Sequence, residues 1–238
     1  MEILQAQRVS KHFAGVVAVN CVSLALQEGE FLGLFGPNGA GKTTLFNLIA
    51  GAYHTDGGQI RFIERDVTRM PAFLRARLGI GRTFQVVRPF RALSVLENLL
   101  AAVPRAGAPG RHDAAAAQEL LGQVGLEGRA NDLAGDLTLG MLKRLEVARA
   151  LALAPRLLLL DEPLAGLTGK ESMDLLEFVR TLKAQISVIM VEHNVRLALP
   201  ICDRAIVMDA GAVIAEGTPE EIRRNPAVIR AYLGDGSE

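Results

Sequence analysis

One octapeptide constrains the fold of this chain more than any other feature: Gly36-Pro37-Asn38-Gly39-Ala40-Gly41-Lys42-Thr43. It matches the pattern G-x-x-x-x-G-K-[ST], it follows the apolar residues 31–35, and it precedes Thr44 and a segment with helical spacing. A strand, a glycine-rich loop and a helix in this order are typical of a phosphate-binding loop. The glycines let successive N–H groups point toward one anion, and the helix predicted to begin at Lys42 adds the positive end of its dipole.

The Lys-Thr pair of this loop supplies the charged and coordinating groups that a bound triphosphate needs. The Lys42 ammonium group is suited to the β and γ phosphates, and the Thr43 hydroxyl is suited to a Mg²⁺ ion bound with them. The alternative is a glycine-rich turn that carries a surface lysine. The strand before the loop and the helix after it favour the phosphate-binding interpretation.

Three short segments are apolar at nearly every position, namely residues 31–35, 157–160 and 186–191. Strands of this kind are buried on both faces of a sheet. Each of the three is followed by a turn and then by a helical pattern. The sequence therefore predicts an α/β fold with a parallel sheet.

The rest of the chain divides into strand-like and helical regions. Alternating patterns at residues 3–6 and 22–26 predict antiparallel strands near the start, and residues 205–216 predict a terminal hairpin followed by short helices. Residues 86–150 contain helix formers and no strand pattern, which predicts a helical insertion. Within it, residues 101–117 are rich in Ala, Pro and Gly and are predicted to form a flexible connection between helices.

Two adjacent carboxylates, Asp161 and Glu162, end the leucine-rich segment. The carboxyl ends of parallel strands form the edge at which open α/β folds bind ligands. Two like charges buried there are costly without a cation, so the pair predicts a Mg²⁺ site, with Asp161 toward the metal and Glu162 toward an attacking water. The alternative is a helix N-cap pair on a surface loop, with Pro163 in the first helical turn.

Charge and cysteine content narrow the possible functions. The chain of 238 residues has 26 basic and 26 acidic residues, so no net field steers it toward a polyanion, and nucleic acid is disfavoured as its primary partner. Cys21 and Cys202 are too few for a disulfide framework, which favours a reducing compartment. No secretory signal pattern and no apolar stretch near the ~18 residues of a membrane span are present. No asparagine is followed by lysine, which argues against a GTPase.

Three further features resemble the ATP-binding cassette (ABC) family. Gln85 ends residues 79–85 at the position of that family's Q-loop, and His193 follows an apolar segment. Residues 137–151 are similar to the family signature, in which a Leu-Ser-Gly-Gly-Gln core opens a helix. The resemblance extends over the whole chain.

This resemblance implies one ABC ATPase domain over residues 1–238. Its parts would be a P-loop NTPase (RecA-like) core with an antiparallel β subdomain, formed by residues 1–85 and 151–238, and an inserted helical subdomain at residues 86–150. ATP and Mg²⁺ are the implied ligands.

The resemblance also implies a role for each matching residue. Glu162 would orient or deprotonate the attacking water, His193 would contact the γ-phosphate, and Gln85 would sense it. Phe13 matches the aromatic residue that stacks on adenine, with packing among strands as the alternative. The implied catalytic residues are Glu162, His193, Gln85 and Lys42; the nucleotide-binding residues are Phe13, Gly36, Pro37, Asn38, Gly39, Ala40, Gly41, Lys42, Thr43, Thr44, Thr138 and Gly140; the metal-binding residues are Thr43, Gln85 and Asp161.

The signature departs from the family pattern. In the family, two cassettes pack head to tail, and the signature of one caps the γ-phosphate held by the other. Thr138 and Gly140 keep the hydroxyl and the close backbone approach, whereas Leu139 and Met141 do not match, and Thr168 stands where the D-loop carries Asp or Asn. Fewer donors would reach the partner's nucleotide, so a mainly structural subunit with slow hydrolysis is a further hypothesis.

Four segments, at residues 16–20, 81–85, 144–149 and 225–234, resemble one branch of the family. That branch is the first of two ATP-binding subunits of bacterial high-affinity branched-chain amino acid importers. It implies a second ABC ATPase subunit in a heterodimer or homodimer, two membrane permeases and, indirectly, a periplasmic binding protein. The subunit would lie peripherally on the cytoplasmic face of the inner membrane.

Other functions within and beyond the family remain alternatives. The ATPase of lipopolysaccharide export, urea or amide uptake, and a non-transport ATP clamp on DNA or the ribosome are three of them. Clamp relatives carry long coiled-coil insertions or two cassettes, and this chain has neither. Residues 86–100, including Arg88, Phe90 and Arg91, would receive a permease helix or form a solvated face.

Overall fold

The structure is a computed structural model that describes residues 1–102, 114–183 and 185–233. The strands are β1 Glu2–Phe13, β2 Val16–Gln27, β3 Phe31–Phe35, β4 Gly57–Phe62, β5 Arg65–Asp66, β6 Ile80–Arg82, β7 Leu157–Asp161, β8 Ser187–Val191, β9 Arg204–Asp209 and β10 Ala212–Gly217. The α-helices are α1 Lys42–Ala50, α2 Ala72–Arg77, α3 Val95–Ala102, α4 Ala114–Gln123, α5 Leu139–Leu151, α6 Gly169–Leu182, α7 Val195–Ala198, α8 Pro219–Arg224 and α9 Pro226–Leu233.

A six-stranded sheet with the order β10-β9-β3-β8-β7-β6 forms the centre of the fold. β9, β3, β8, β7 and β6 run parallel, and β10 pairs antiparallel with β9. The phosphate loop connects β3 to α1, Asp161 ends β7, and His193 follows β8. Because the carboxyl ends of parallel strands meet at one edge, these segments lie together.

A second, four-stranded antiparallel sheet has the order β2-β1-β4-β5. Its apolar residues pack with α1 against one face of the central sheet, in a core that includes Val9, Phe46 and Leu159. The turn between β9 and β10 joins this arrangement to the phosphate loop: Asn20 N donates to Gly211 O at 2.8 Å, and Gly211 N donates to Ala40 O at 3.1 Å. The phosphate loop directly before α1 is therefore linked through this turn to β2.

Helices cover the other face of the central sheet and form a separate group beside it. Phe35 and Leu160 pack beneath α6, whereas α3, α4 and α5 surround a core of their own that includes Leu121. α5 belongs to both groups, since Val147 enters the first core and Ala148 the second. A displacement of α5 would therefore change the packing of both cores.

Most of the predicted elements are confirmed. The parallel strands, the terminal hairpin with its short helices and the helix beginning at Lys42 are present, while β1 and β2 are longer than the predicted residues 3–6 and 22–26. The sequence does not predict β4, β5 and β6, because glycine and charged residues interrupt their apolar pattern. The division between residues 86–150 and the remainder stays a prediction.

Two further expectations from the sequence concern the adjacent carboxylates and the connection at residues 101–117. Asp161 and Glu162 are buried, and the next helix, α6, begins only at Gly169 with Thr168 as its N-cap, so the interpretation of the carboxylates as a helix cap is wrong. The predicted bounds of the flexible connection at residues 101–117 are wrong at both ends, because residues 101–102 belong to α3 and residues 114–117 belong to α4. Residues 103–113 lie outside the described part of the chain. None of the described helices is long and apolar enough to cross a membrane.

Candidate active site

The phosphate loop has a backbone that only glycine can adopt at two of its positions. Gly36 has φ +142° and Gly41 has φ +95°. A Cβ at Gly36 would lie 2.1 Å from Met208 O, and one at Gly41 would lie 2.2 Å from Ala18 O. The glycines of the motif are therefore needed both for conformation and for the close approach of neighbouring backbone.

The first turn of α1 is open to an anion. The helix follows Gly41, which has no side chain to cap it, and its first turn contains no acidic residue. The N–H groups at the start of α1, together with the helix dipole, form an anion-binding site. The Lys42 Nζ donates to Gly36 O at 2.7 Å and to Pro37 O at 2.8 Å, while burial lowers the pKa of Lys42 and the nearby Glu162 charge opposes that change.

Three predicted residues meet at the Glu162 carboxylate. Gln85 Nε2 donates to Glu162 Oε2 at 2.6 Å, and His193 Nε2 lies 3.2 Å from the same oxygen. The three side chains follow β6, β7 and β8, whose carboxyl ends share one edge. Glu162 itself has φ +46°, a left-handed conformation that is unfavourable for a residue with a side chain. Strain of this kind is typical of a functional position held by its surroundings.

Asp161 has an unsatisfied carboxylate oxygen. Its side chain is 4% exposed, and its Oδ1 atom is buried without a hydrogen-bond partner. Burial raises the pKa of Asp161, and the Arg82 charge partly offsets this effect. An orphaned carboxylate oxygen close to a phosphate loop suits a hard divalent cation, which needs only one or two protein carboxylates when phosphates complete its shell. Within the described ranges, no group of three His, Cys, Asp or Glu side chains forms a separate metal site.

Phe13 lies at the exposed end of β1. Its side chain is 40% exposed, its ring centroid is 5.4 Å from that of Tyr53 in an edge-to-face arrangement, and the Lys11 ammonium group lies 5.4 Å from its centroid. An aromatic ring that is open to solvent suits stacking on a base. The adenine role stays a prediction.

The signature residues lie at the start of α5. Thr138 Oγ1 caps the helix by accepting from Met141 N at 3.4 Å, which leaves its hydroxyl hydrogen for another acceptor. A Cβ at Gly140 would lie 2.8 Å from Glu171 Oε1, so a larger residue there would require the Glu171 side chain to move. Thr168 forms a capping box with Glu171 and so supplies a helix cap at the D-loop position. Between described residues, no hydrogen bond joins Thr138 or Gly140 to the Glu162 cluster.

Two residues that support this cluster, Glu192 and Arg82, are not predicted as site residues from the sequence. Glu192 is buried, and its carboxylate accepts from Leu164 N at 2.8 Å and from His193 N at 3.2 Å, so it joins the segments after Glu162 and before His193. Burial raises the pKa of Glu192. The sequence signal for Glu192 is its position as a carboxylate at the end of an apolar strand, directly before His193.

Arg82 is a second missed support. Its guanidinium carbon lies 5.3 Å from the ring centroid of Phe46 in α1 and 4.5 Å from that of Phe84, and Nη1 donates to Asn47 Oδ1 at 3.1 Å. This residue thereby attaches the segment before Gln85 to the helix of the phosphate loop.

Comparison with known proteins identifies the family of the chain. The sequence model of the family described as "ABC transporter" matches residues 19–165, which include the phosphate loop and Glu162. The chain belongs to the ABC transporter family. A second model, described as "Branched-chain amino acid ATP-binding cassette transporter", matches residues 212–238 of this cassette.

Curated relatives of the cassette match it over nearly its whole length. The high-affinity branched-chain amino acid transport ATP-binding protein LivG of Salmonella typhimurium is 42% identical, and BraF of Pseudomonas aeruginosa, with the same description, is 40% identical; the matches cover 98% of each chain. The lipopolysaccharide export system ATP-binding protein LptB of Acidithiobacillus ferridurans is 39% identical, again over 98% of each chain.

Solved structures show the same fold. The ADP conformation of MJ1267, an ATP-binding cassette of an ABC transporter, has a TM-score of 0.90 and 32% identity, with 99% of this chain and 100% of that chain covered. A dimeric post-hydrolysis state of the cassette MJ0796 bound to ADP and Pi has a TM-score of 0.79 and 26% identity, with 91% and 99% covered. The predicted α/β P-loop fold is confirmed.

Proposed function

We propose that this cassette binds ATP with Mg²⁺, hydrolyses its γ-phosphate, and drives uptake of branched-chain amino acids as one ATP-binding subunit of an importer. The observation that carries the hydrolysis is the convergence of Gln85 and His193 on one oxygen of Glu162, beside a phosphate loop whose helix begins uncapped. The match of residues 212–238 to the branched-chain amino acid family supports the substrate class.

Binding of the triphosphate uses the open backbone of the loop. Phosphate oxygens accept from N–H groups at the start of α1, and Lys42 exchanges its two carbonyl contacts for the β and γ phosphates. Lys42 is already buried. The exchange therefore replaces two carbonyl dipoles around a buried ammonium group by phosphate oxygens that carry full negative charge. Phe13 stacks on the adenine ring.

The metal is held by few protein atoms. Asp161, the Thr43 hydroxyl and Gln85 are the residues that would hold Mg²⁺, which when bound neutralises charge on the β and γ phosphates. The orphaned Oδ1 of Asp161 is the atom that supports this assignment.

Hydrolysis depends on the position of Glu162. Its carboxylate orients a water for in-line attack on the γ-phosphate and accepts a hydrogen bond from it. In the structure, the Gln85 amide and His193 both face Glu162 Oε2. A γ-phosphate offers both groups new acceptors, so their departure from Oε2 frees that oxygen for the water. The Glu192 carboxylate accepts from the His193 N–H and so holds His193 close to Glu162.

A second cassette completes the site. Among the described residues, Thr138 and Gly140 make no hydrogen bond to this chain's own Glu162 cluster, as expected of groups that donate to a nucleotide held by a partner. Leu139, which is exposed, adds no polar donor, so sealing relies on the Thr138 hydroxyl and backbone N–H groups. A heterodimer whose second ATP-binding subunit has a fuller set of donors would compensate.

The permeases dock beside the segment that contains Gln85. A cavity of about 500 Å³ lies beside residues 84–90, and its lining includes Phe84, Phe90 and Arg149. Arg149 Nη1 donates to Arg88 O at 3.0 Å and its guanidinium carbon lies 5.2 Å from the Phe90 centroid. An aromatic and cationic groove suits a short helix from a membrane subunit, which would keep the cassette at the cytoplasmic face of the inner membrane.

The hydrolysis is tested with Glu162→Gln, which keeps shape and removes the charge. Reconstituted with its permeases and second ATPase subunit, the variant should bind MgATP like the wild type and release phosphate about a thousandfold more slowly. Asp174→Asn, an exposed carboxylate of α6, is the matched control. Undiminished phosphate release by Glu162→Gln would remove Glu162 from the mechanism.

The transport role is tested by recovery of the membrane subunits with the tagged full chain, followed by uptake into vesicles. ATP-dependent uptake of leucine, isoleucine or valine supports the proposal. Copurification with lipopolysaccharide-export subunits, which the 39% identity to LptB makes the second candidate, would replace the proposed substrate. Salt-sensitive binding to DNA or ribosomes would instead favour a non-transport clamp.

A further inference from the structure

A buried lysine of α5 contacts the backbone of both members of the Gln85–Glu162 pair. Lys143 is 4% exposed, and its Nζ donates to Gln85 O at 3.1 Å and to Glu162 O at 3.3 Å. A buried ammonium group is costly unless its donors are used. Here the partners are two main-chain carbonyls that lie 77 residues apart in sequence, as the separation of Gln85 and Glu162 shows. One side chain therefore fixes the distance between two loops.

The carbonyl of Glu162 belongs to the strained residue of the site. Glu162 has φ +46°, so its backbone must be held by neighbours. Its N–H donates to Val191 O at 3.0 Å, and its carbonyl accepts from Lys143 and from Ala165 N, the latter at 3.2 Å. Lys143 is thus the side chain that anchors the carbonyl side of this conformation.

A second buried charged residue of α5, Glu146, binds the loop that carries Gln85, at the residue directly before Gln85. Glu146 lies one turn after Lys143, and its Oε1 accepts from Phe84 N at 2.8 Å. Residues three apart share a helix face, so Glu146 and Lys143 bind backbone groups of two adjacent residues, Phe84 N–H and Gln85 O. Two buried side chains of α5 therefore attach the Gln85 loop to this helix.

We propose that Lys143 is a positioning residue for ATP hydrolysis: it holds the backbones of Gln85 and Glu162 at the separation at which their side chains meet. The inference rests on the proposed function. Thr138 is the N-cap of α5, and its proposed role is to seal the partner's nucleotide. Lys143 therefore also connects closure at that end of the helix to the hydrolysis site of the same chain.

The central experiment compares Lys143→Met with two matched variants in the reconstituted transporter. Lys143→Met should lower kcat for ATP hydrolysis about tenfold or more, with KM for ATP within about twofold, because the phosphate loop is not contacted by Lys143. Lys143→Arg keeps the donors and should recover most of kcat. Arg144→Met is the control, since Arg144 on the same helix donates to Val124 O at 3.1 Å and not to the pair.

Hydrogen exchange gives a second measurement of the role of Lys143 that does not require hydrolysis. Hydrogen exchange of the full nucleotide-free chain should quicken in Lys143→Met for peptides covering residues 83–86 and 161–165, and remain unchanged at residues 36–43. Arg144→Met should leave all three regions unchanged. This measurement also applies if Lys143→Met lowers stability, because Lys143→Arg should then show wild-type exchange.

The outcomes separate this inference from the proposed function. Wild-type kcat and wild-type exchange in Lys143→Met would overturn the positioning role while hydrolysis, stopped by Glu162→Gln, still stands. Equal changes of kcat and KM in Lys143→Met and Arg144→Met would show a general structural effect of α5 and also overturn it. A wild-type assembly that hydrolyses no ATP would contradict the proposed function, and the exchange pattern would still decide the backbone role of Lys143.

Discussion

The Tyr232 hydroxyl accepts a hydrogen bond of 2.6 Å from the backbone nitrogen of Gly36, the first glycine of the phosphate loop, across 196 residues of sequence. The carbonyl of the same glycine accepts from Lys42 Nζ at 2.7 Å. Gly36 is therefore held from both sides, by the terminal helix α9 and by the lysine of the loop. Burial raises the pKa of Tyr232 to about 12, so the hydroxyl stays protonated at neutral pH.

Tyr232→Phe removes the acceptor for Gly36 N–H and keeps the ring. One hydrogen bond contributes roughly 1 kcal/mol, so we expect MgATP affinity to fall about fivefold in calorimetric titration, with the unfolding transition still cooperative. Tyr53→Phe is the matched control, because the chain has 2 tyrosines and this one contacts Phe13 through its ring. Equal affinities for the two variants would contradict a role of α9 in shaping the loop.

Phe13→Ala tests stacking against packing. A base–aromatic stack contributes roughly 1 kcal/mol or more, so ATP affinity should fall about fivefold or more. Inorganic tripolyphosphate, which has no base, should bind Phe13→Ala and the wild type equally. Phe13→Tyr keeps the ring and should keep ATP affinity. A parallel loss for ATP and tripolyphosphate in calorimetry would show that Phe13 acts by packing among the strands.

Asp161→Asn should stabilise the nucleotide-free protein. Burial raises the pKa of Asp161 above its unfolded value of about 3.8, the Glu162 charge adds to this, and Arg82 and Lys143 oppose it. The folded state then binds the proton more tightly, so the contribution of this group is greatest below the unfolded pKa and is lost as pH rises through the folded-state pKa. Removing the desolvated charge should raise the free energy of unfolding at pH 7 by roughly 1 to 3 kcal/mol.

Urea unfolding of the Asp161→Asn variant across pH 3 to 8 checks this sign. Its advantage over the wild type should shrink toward acidic pH, and MgATP should stabilise it less than the wild type, since a metal-facing carboxylate is gone. The exposed Asp174→Asn variant should follow the wild-type curve. An Asp161→Asn variant that is less stable than the wild type at pH 7 would contradict the assignment of an unsatisfied charge.

Much of the site follows from chain order alone. Each of Gln85, Asp161, Glu162 and His193 lies just after, or at the end of, a strand of the parallel sheet, and topology brings such positions to one edge. Apolar runs identify β7 and β8 directly, whereas β6 contains Gly81 and Arg82 and does not show a strand pattern. Gln85 is found through family resemblance rather than through its strand.

Contacts between distant segments are what the sequence does not predict. Lys143 and Glu146 share α5 with other charged residues, and no local pattern distinguishes the two that are buried. Tyr232 is equally ordinary as an aromatic residue of a short terminal helix. The burial of Lys143 and Glu146 depends on segments far along the chain, and so does the hydrogen bond of Tyr232, which is 37% exposed. Helical periodicity therefore indicates none of these contacts. Residue roles in catalysis and nucleotide binding stay predictions for the experiments above.

Arg75 offers a prediction about stability at the other end of α1. It is fully buried, and its guanidinium donates to Leu48 O and Ile49 O at 2.7 Å, to Met70 O at 2.9 Å and to Thr68 O at 3.2 Å. Desolvation lowers its pKa to about 10, so it remains charged at neutral pH. The positive group satisfies carbonyls at the end of the helix that begins at the phosphate loop.

Arg75→Met leaves those carbonyls buried without donors and should lower the free energy of unfolding by roughly 3 kcal/mol. Arg75→Lys keeps at most three donors in a different geometry and should give an intermediate value in the same urea titration. Arg77→Met, an exposed arginine of the same helix, is the matched control and should stay within about 0.5 kcal/mol of the wild type. If Arg75→Met and Arg77→Met unfold alike, the carbonyls of α1 find other donors, and the end of the phosphate-loop helix does not depend on this buried charge.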